Sequence, residues 1–166
     1  MGDALLPMAL IAAMTRGETL EMAGVHFSSG VGFVFPAGTL AAGERLLVVK
    51  DQEAFQVRYP SVPVSQIAGE FSGGTGLNNG GEQIVLNDMT GEMIQGFRYD
   101  DRSPWPEEPD GDGAALVLVN PTTRPDHGLA LSWRASRLID GSPGGDEDAF
   151  DVDLDGLPDD WEQFWF

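Results

Sequence analysis

The chain has 166 residues, enough for one domain of ordinary size and a short appendage. Its apolar fraction of 42% predicts a packed core, and its 22 glycines and 11 prolines are typical of a turn-rich β protein. A net charge of -18 argues against a nucleic-acid partner, the lack of cysteine excludes disulfides, and no apolar run is long enough to span a bilayer.

The first 17 residues hold an apolar stretch, residues 4–14, that could be read in several ways. It lacks a basic start, follows Asp3 and contains Pro7, so it is weak as a signal peptide. We expect it to supply an atypical first strand, or to be a leader; a start further upstream is the third alternative.

The next segments alternate strand patterns with turn signals. Residues 25–27 and 32–35 flank the turn at 28–30 and predict a hairpin. The run RLLVV at 45–49 predicts a central strand covered on both faces. Asp51 is placed to cap a short helix that reaches Tyr59 and ends before Pro60.

The second half continues the pattern of short strands. Residues 83–87 and 93–99 surround a turn at 88–91 and predict an antiparallel pair. Residues 114–120 predict a further buried strand, and 129–133 a last edge strand. About seven short strands in roughly 130 residues indicate an all-β fold, most simply a β-sandwich.

Several short phrases occur together in one order. They are FVFPAGTL at 33–40, ERLLVV at 44–49, FSGG at 71–74, LNNGGE at 77–82, YDD at 99–101, PWP at 104–106, DGDG at 110–113, LVL at 116–118, WRAS at 133–136 and GSPG at 141–144. Each phrase alone is weak, but the ordered set, over residues 18–144, resembles the lamin tail domain in its bacterial secreted form.

This resemblance implies an immunoglobulin-like β-sandwich spanning residues 1–145, in a secreted or cell-surface protein, with a binding or structural role and no catalytic residues to carry over. The family normally opens with an acidic, aromatic strand, whereas residues 9–15 here read ALIAAMT. Either this segment replaces the first strand or a sheet edge stays unfilled, and an unfilled edge would allow a homodimer.

The matched residues mostly suggest structural roles. Trp105, held between two prolines, is expected to plug one end of the sandwich, and Trp133 to pack in the core rather than form a ligand platform. The asparagine and glycine residues at 78–81 suit a tight turn; a phosphate cradle is disfavoured because no lysine or helix start follows them.

The last segment, residues 146–166, carries the strongest metal signal. Residues 151–162 read DVDLDGLPDDWE, the spacing at which alternate oxygens of a tight loop converge on Ca²⁺. The expected ligands are the carboxylates of Asp151, Asp153, Asp155, Asp159 and Glu162 and the backbone carbonyl of Leu157. The ligand pattern resembles the single calcium loops of thrombospondin type 3 and dockerin-like repeats; an acidic linker is the alternative.

An exit helix is expected to start at Pro158 after this loop, with an apolar face that includes Trp161 and Trp165. Extracellular modules bind calcium at about 10⁻⁴ to 10⁻³ M, so the loop favours a secreted or surface location.

Catalytic groups are harder to find in the sequence. His26 and His127 show no spacing that couples them to a nucleophile, and Asp100 and Asp101, as neighbours in the chain, are poorly arranged as a glycosidase pair. We therefore predict a non-enzymatic binding or scaffolding module, with calcium and an unidentified protein or polysaccharide as partners. The alternatives are a carbohydrate-binding sandwich, favoured if Tyr59 or Trp105 lines an exposed face, and an accessory domain of a hydrolase.

Overall fold

The structure is a computed structural model and describes residues 8–10, 19–71 and 74–145. Within this part the chain is predominantly β, with one short α-helix. The strands are β1 (Met8–Leu10), β2 (Leu20–Glu21), β3 (His26–Ser29), β4 (Thr39–Leu40), β5 (Leu46–Val49), β6 (Ile67–Glu70), β7 (Gln83–Asn87), β8 (Met93–Arg98), β9 (Leu116–Leu118) and β10 (Trp133–Ala135). The α-helix is α1 (Gln52–Arg58), and three 3₁₀ helices cover Val64–Gln66, Pro121–Thr123 and Ala130–Ser132.

The strands form four small sheets. Two are three-stranded, with the orders β1-β5-β6 and β3-β7-β8, and two are pairs, β2-β4 and β9-β10. Every pairing is antiparallel except β5 with β6, which run parallel and are joined through α1. A parallel pair needs such a crossover, because a tight turn can only reverse the chain.

Strand β5 lies at the centre of its sheet and is covered on both faces, as its continuous apolar run predicts. Val48 belongs to one hydrophobic cluster, while Leu47 and Val49 belong to a second cluster with Phe55 and Val62. Successive side chains of a strand point to opposite faces, so β5 anchors both clusters at once. The larger of the two also holds Phe35, one of the most deeply buried side chains.

Helix α1 starts where the sequence predicts. The carboxylate of Asp51 accepts a hydrogen bond from the Ala54 N–H at 2.8 Å, which satisfies a backbone donor that the first turn leaves unpaired. Phe55 is its buried residue and packs 4.8 Å from the ring of Tyr59, where the helix ends. The helix is thereby fixed to the second hydrophobic cluster.

The hairpin of β7 and β8 is confirmed, with Ile84 opposite Phe97. Its turn is closed by Asp88, whose carboxylate accepts hydrogen bonds from the backbone N–H groups of Thr90 and Glu92, each at 2.8 Å. These bonds, led by one from the Thr90 hydroxyl, hold the pKa of Asp88 below its usual value. The hairpin predicted from residues 25–27 and 32–35 is shorter than expected. His26 and Val34 form an isolated bridge, and residues 32–35 contain no strand.

The N-terminal segment supplies a strand. Met8, Ala9 and Leu10 pair antiparallel with Val48, Leu47 and Leu46. Residues 8–10 therefore form the edge of this sheet beside β5.

The prediction of an edge strand at residues 129–133 is wrong about its position. Ala130–Ser132 is a 3₁₀ helix, and the strand begins only at Trp133 and runs to Ala135. The alternation of apolar residues there does not mark a buried face, because Leu129 is 56% and Leu131 is 91% exposed. The Ser132 N–H instead donates to the Leu129 carbonyl, which closes the turn.

Candidate functional site

The LNNGGE phrase forms a loop that hydrogen bonds to the end of β8. The Tyr99 hydroxyl donates to the backbone carbonyl of Asn78 at 2.7 Å and lies 3.2 Å from a carboxylate oxygen of Glu82. The same carboxylate accepts the Asn78 N–H at 2.7 Å. We call these three residues the Tyr99 network.

The Tyr99 network is tightly packed. Tyr99 is 7% exposed, and its burial together with the charge of Glu82 raises the pKa of the phenol above its ordinary value. Gly81 has a φ of +87°, and an added Cβ would lie 2.7 Å from the Cα of Asp100. The glycine is therefore required both for the turn and for the close approach of the two chain segments.

Four rings form a second feature, the aromatic cluster of Phe97, Trp105, His127 and Trp133. Trp133 stacks on Phe97 with centroids 5.2 Å apart, and it lies 6.1 Å from Trp105 and 5.8 Å from His127. Its indole N–H donates to the His127 carbonyl at 2.8 Å. All four side chains are half-buried.

The two tryptophans of the aromatic cluster lie in different surroundings. Trp105 packs at the border of the larger hydrophobic cluster. Trp133 is half-buried beside it instead of lying in the core, because its main contacts are with the other three rings. Burial of the His127 imidazole among these rings lowers its pKa, since the charged form loses solvation there.

The other candidate acids and bases are engaged locally. The Nδ1 of His26 lies 3.0 Å from the carbonyl of Gly24, within hydrogen-bond distance. Asp100 accepts the Arg102 N–H at 3.2 Å, and Asp101 lies 3.8 Å from the Arg102 guanidinium. These contacts are all between residues close together in the chain.

Tyr59 is part of a contact that the sequence does not reveal. Its ring packs on Phe55, and its hydroxyl donates to the Asp140 backbone carbonyl at 2.7 Å. The carboxylate of Asp140 pairs with the guanidinium of Arg58. Helix α1 is thus joined to a segment about 80 residues further along the chain, a spacing that carries no local signal.

The six predicted calcium ligands lie outside the described residues. They are Asp151, Asp153, Asp155, Leu157, Asp159 and Glu162. Among residues 8–10, 19–71 and 74–145, no group of three or more His, Cys, Asp or Glu side chains is placed to hold a metal ion. The calcium site stays a prediction from the spacing of residues 151–162.

Comparisons of the sequence with protein-family models, with curated proteins and with solved structures gave no match in any of the three. The resemblance to the lamin tail domain therefore depends on the ordered phrases alone and stays a prediction. Within the described part of the chain, no helix has the length and apolar composition needed to cross a membrane.

Proposed function

We propose that this chain is a non-catalytic binding and scaffolding module of a secreted or cell-surface bacterial protein, stabilised by calcium at residues 151–162. The observation that carries the proposal is the Tyr99 network. The polar residues of two phrases typical of the lamin tail resemblance, Asn78 and Glu82 with Tyr99, bond to one another. Polar side chains that are engaged in such internal bonds suit a structural role.

An immunoglobulin-like sandwich is the finer fold that we propose for residues 1–145. It is supported by the mostly antiparallel strand pairing and by the larger hydrophobic cluster, which joins Val48 of β5 to Ile84 and Leu86 of β7 in the other three-stranded sheet. The parallel crossover from β5 through α1 to β6 would be an addition to that framework.

Calcium is proposed as the ligand of the C-terminal segment because residues 151–162 provide an oxygen donor at every position the loop pattern requires. Before a cation binds, carboxylates brought this close repel one another, so binding should order the loop. Extracellular calcium is high enough for a site of modest affinity, which supports the proposed location.

Calorimetric titration with Ca²⁺ tests this function. The wild-type chain should give a saturable heat at about one ion per chain, with a dissociation constant of about 10⁻⁴ to 10⁻³ M. The double substitution D153A/E162A should abolish that heat. The matched control D146A/D148A also removes two carboxylates but leaves the loop intact, so it should bind calcium as the wild type does. Heat that survives in D153A/E162A would contradict the assignment.

Carbohydrate binding is the second candidate, and the aromatic cluster is the observation that favours it. Indole rings offer flat surfaces that suit apolar sugar faces, and the rings of Trp105 and Trp133 lie 6.1 Å apart at a tilt of 38°. Tyr59 is less suitable, since its ring and hydroxyl are engaged with Phe55 and Asp140. Retention of the chain on a panel of neutral polysaccharides, lost on W105A, would favour this candidate.

A further inference from the structure

The acidic loop, residues 100–113, connects β8 to the segment before β9 and carries an unusual charge. It contains six carboxylates and one arginine, which leaves five negative charges in excess over a short stretch. Glu107, Glu108, Asp110 and Asp112 are exposed. Like charges held this close on a surface create a field that favours a cationic partner.

The acidic loop is anchored at Trp105 and at Gly113. The ring of Trp105 packs against Trp133, and the Trp105 N–H donates to the Arg102 carbonyl at 2.9 Å. At the far end, the Gly113 carbonyl accepts the Asp140 N–H at 2.7 Å. Through Trp105, the acidic loop is thereby anchored beside the aromatic cluster.

Exposed apolar side chains lie next to the aromatic cluster in the chain. Leu129 follows His127 by two residues and Leu131 precedes Trp133 by two, and these leucines are 56% and 91% exposed. Ile139, which is 68% exposed, lies against Gly113 at the end of the acidic loop. Apolar side chains beside concentrated charge are typical of an interaction surface.

We propose that the acidic loop and the neighbouring aromatic cluster form a docking surface for an arginine-rich segment of a partner protein. This deepens the proposed function, on which it rests, by naming the chemical class of the partner. The guanidinium of an arginine can pair with carboxylates and also stack on an indole. The methylene groups of the same side chain can cover an exposed leucine. A second copy of this chain is disfavoured as the occupant because it would bring a further charge of -18.

Titration of the full chain with a nona-arginine peptide at about 20 mM salt tests the proposal, since low salt leaves surface charges weakly screened. The variant E107Q/E108Q/D110N keeps the shape of the acidic loop and removes three charges. The control E21Q/E53Q/E92Q removes three exposed charges elsewhere. We expect the loop variant to bind at least about tenfold more weakly and the control to change less than about twofold. Both variants should melt like the wild type.

Three results would overturn the proposal. Equal weakening in both variants would mean that overall charge attracts the peptide, and no binding by the wild type would exclude an arginine-rich partner. Retention on a neutral polysaccharide without peptide binding would assign the aromatic cluster to sugars instead. In each case an unchanged calcium titration would leave the scaffolding function standing, so the two failures can be told apart.

Discussion

Substitution of Tyr99 by phenylalanine removes one oxygen atom from the Tyr99 network and leaves the ring in place. The hydroxyl is buried, and its loss leaves the Asn78 carbonyl without a donor at 2.7 Å and Glu82 without its second partner. A buried hydrogen bond of this kind contributes about 1 to 2 kcal/mol to stability. For a chain of this size that lowers the melting temperature by about 3 to 6 °C.

Urea denaturation followed by circular dichroism measures the effect, with Tyr59→Phe as the matched control. The Tyr59 hydroxyl also donates to a backbone carbonyl at 2.7 Å, but that residue is half-buried and water can replace the bond, so its loss should cost less. Combining Tyr99→Phe with Glu82→Gln should give less than the sum of the single effects, because both change the same network. If Tyr99→Phe unfolds within about 0.3 kcal/mol of the wild type, the network does not stabilise the fold.

Further predictions concern the helix cap, a buried histidine and a glycine. Replacing Asp51 with alanine should destabilise the chain by about 1 kcal/mol in urea denaturation, since α1 loses its cap; no change would mean that the cap is dispensable. Burial lowers the pKa of His127 in the folded state below its unfolded value of about 6.5. The contribution of His127 to stability should therefore be complete above about pH 6.5 and be lost as the pH falls below it. Melting curves of a His127→Gln variant should lack this contribution to the pH dependence of the melting temperature. Gly81→Ala should destabilise far more than Gly91→Ala. Both glycines have positive φ, but a Cβ added at Gly81 would meet the backbone of Asp100, whereas one added at Gly91 would meet nothing within 4 Å. Equal melting temperatures would refute the steric argument.

Local signals predict much of the fold. The continuous apolar run of β5, the turn chemistry at Asp88 and the cap at Asp51 each act within a few residues, and the structure places β5, the β7–β8 hairpin and α1 accordingly. Strand β6 could not be predicted this way. Its sequence IAGE has no alternation, and it is a strand because it pairs with β5 across the α1 crossover.

The candidate sites also combine features that the local sequence predicts with features that it does not. The LNNGGE phrase predicts a turn, but its bond to Tyr99 becomes visible only when β8 is placed beside it. The aromatic cluster combines Phe97 with rings from three other segments, including Trp133. The alternating leucines before Trp133 have the spacing of a strand, but in the structure they are exposed and Ala130–Ser132 is a 3₁₀ helix. Non-local packing decides these features, and sequence spacing does not record it.

Hydrogen exchange of the C-terminal segment, measured by mass spectrometry with and without saturating Ca²⁺, tests the central claim most directly. Calcium bound in the loop should slow exchange of the backbone amides in residues 151–166 and leave the strands around β5 unchanged. Exchange that stays equally fast across residues 151–166 at saturating calcium would contradict a calcium-stabilised module.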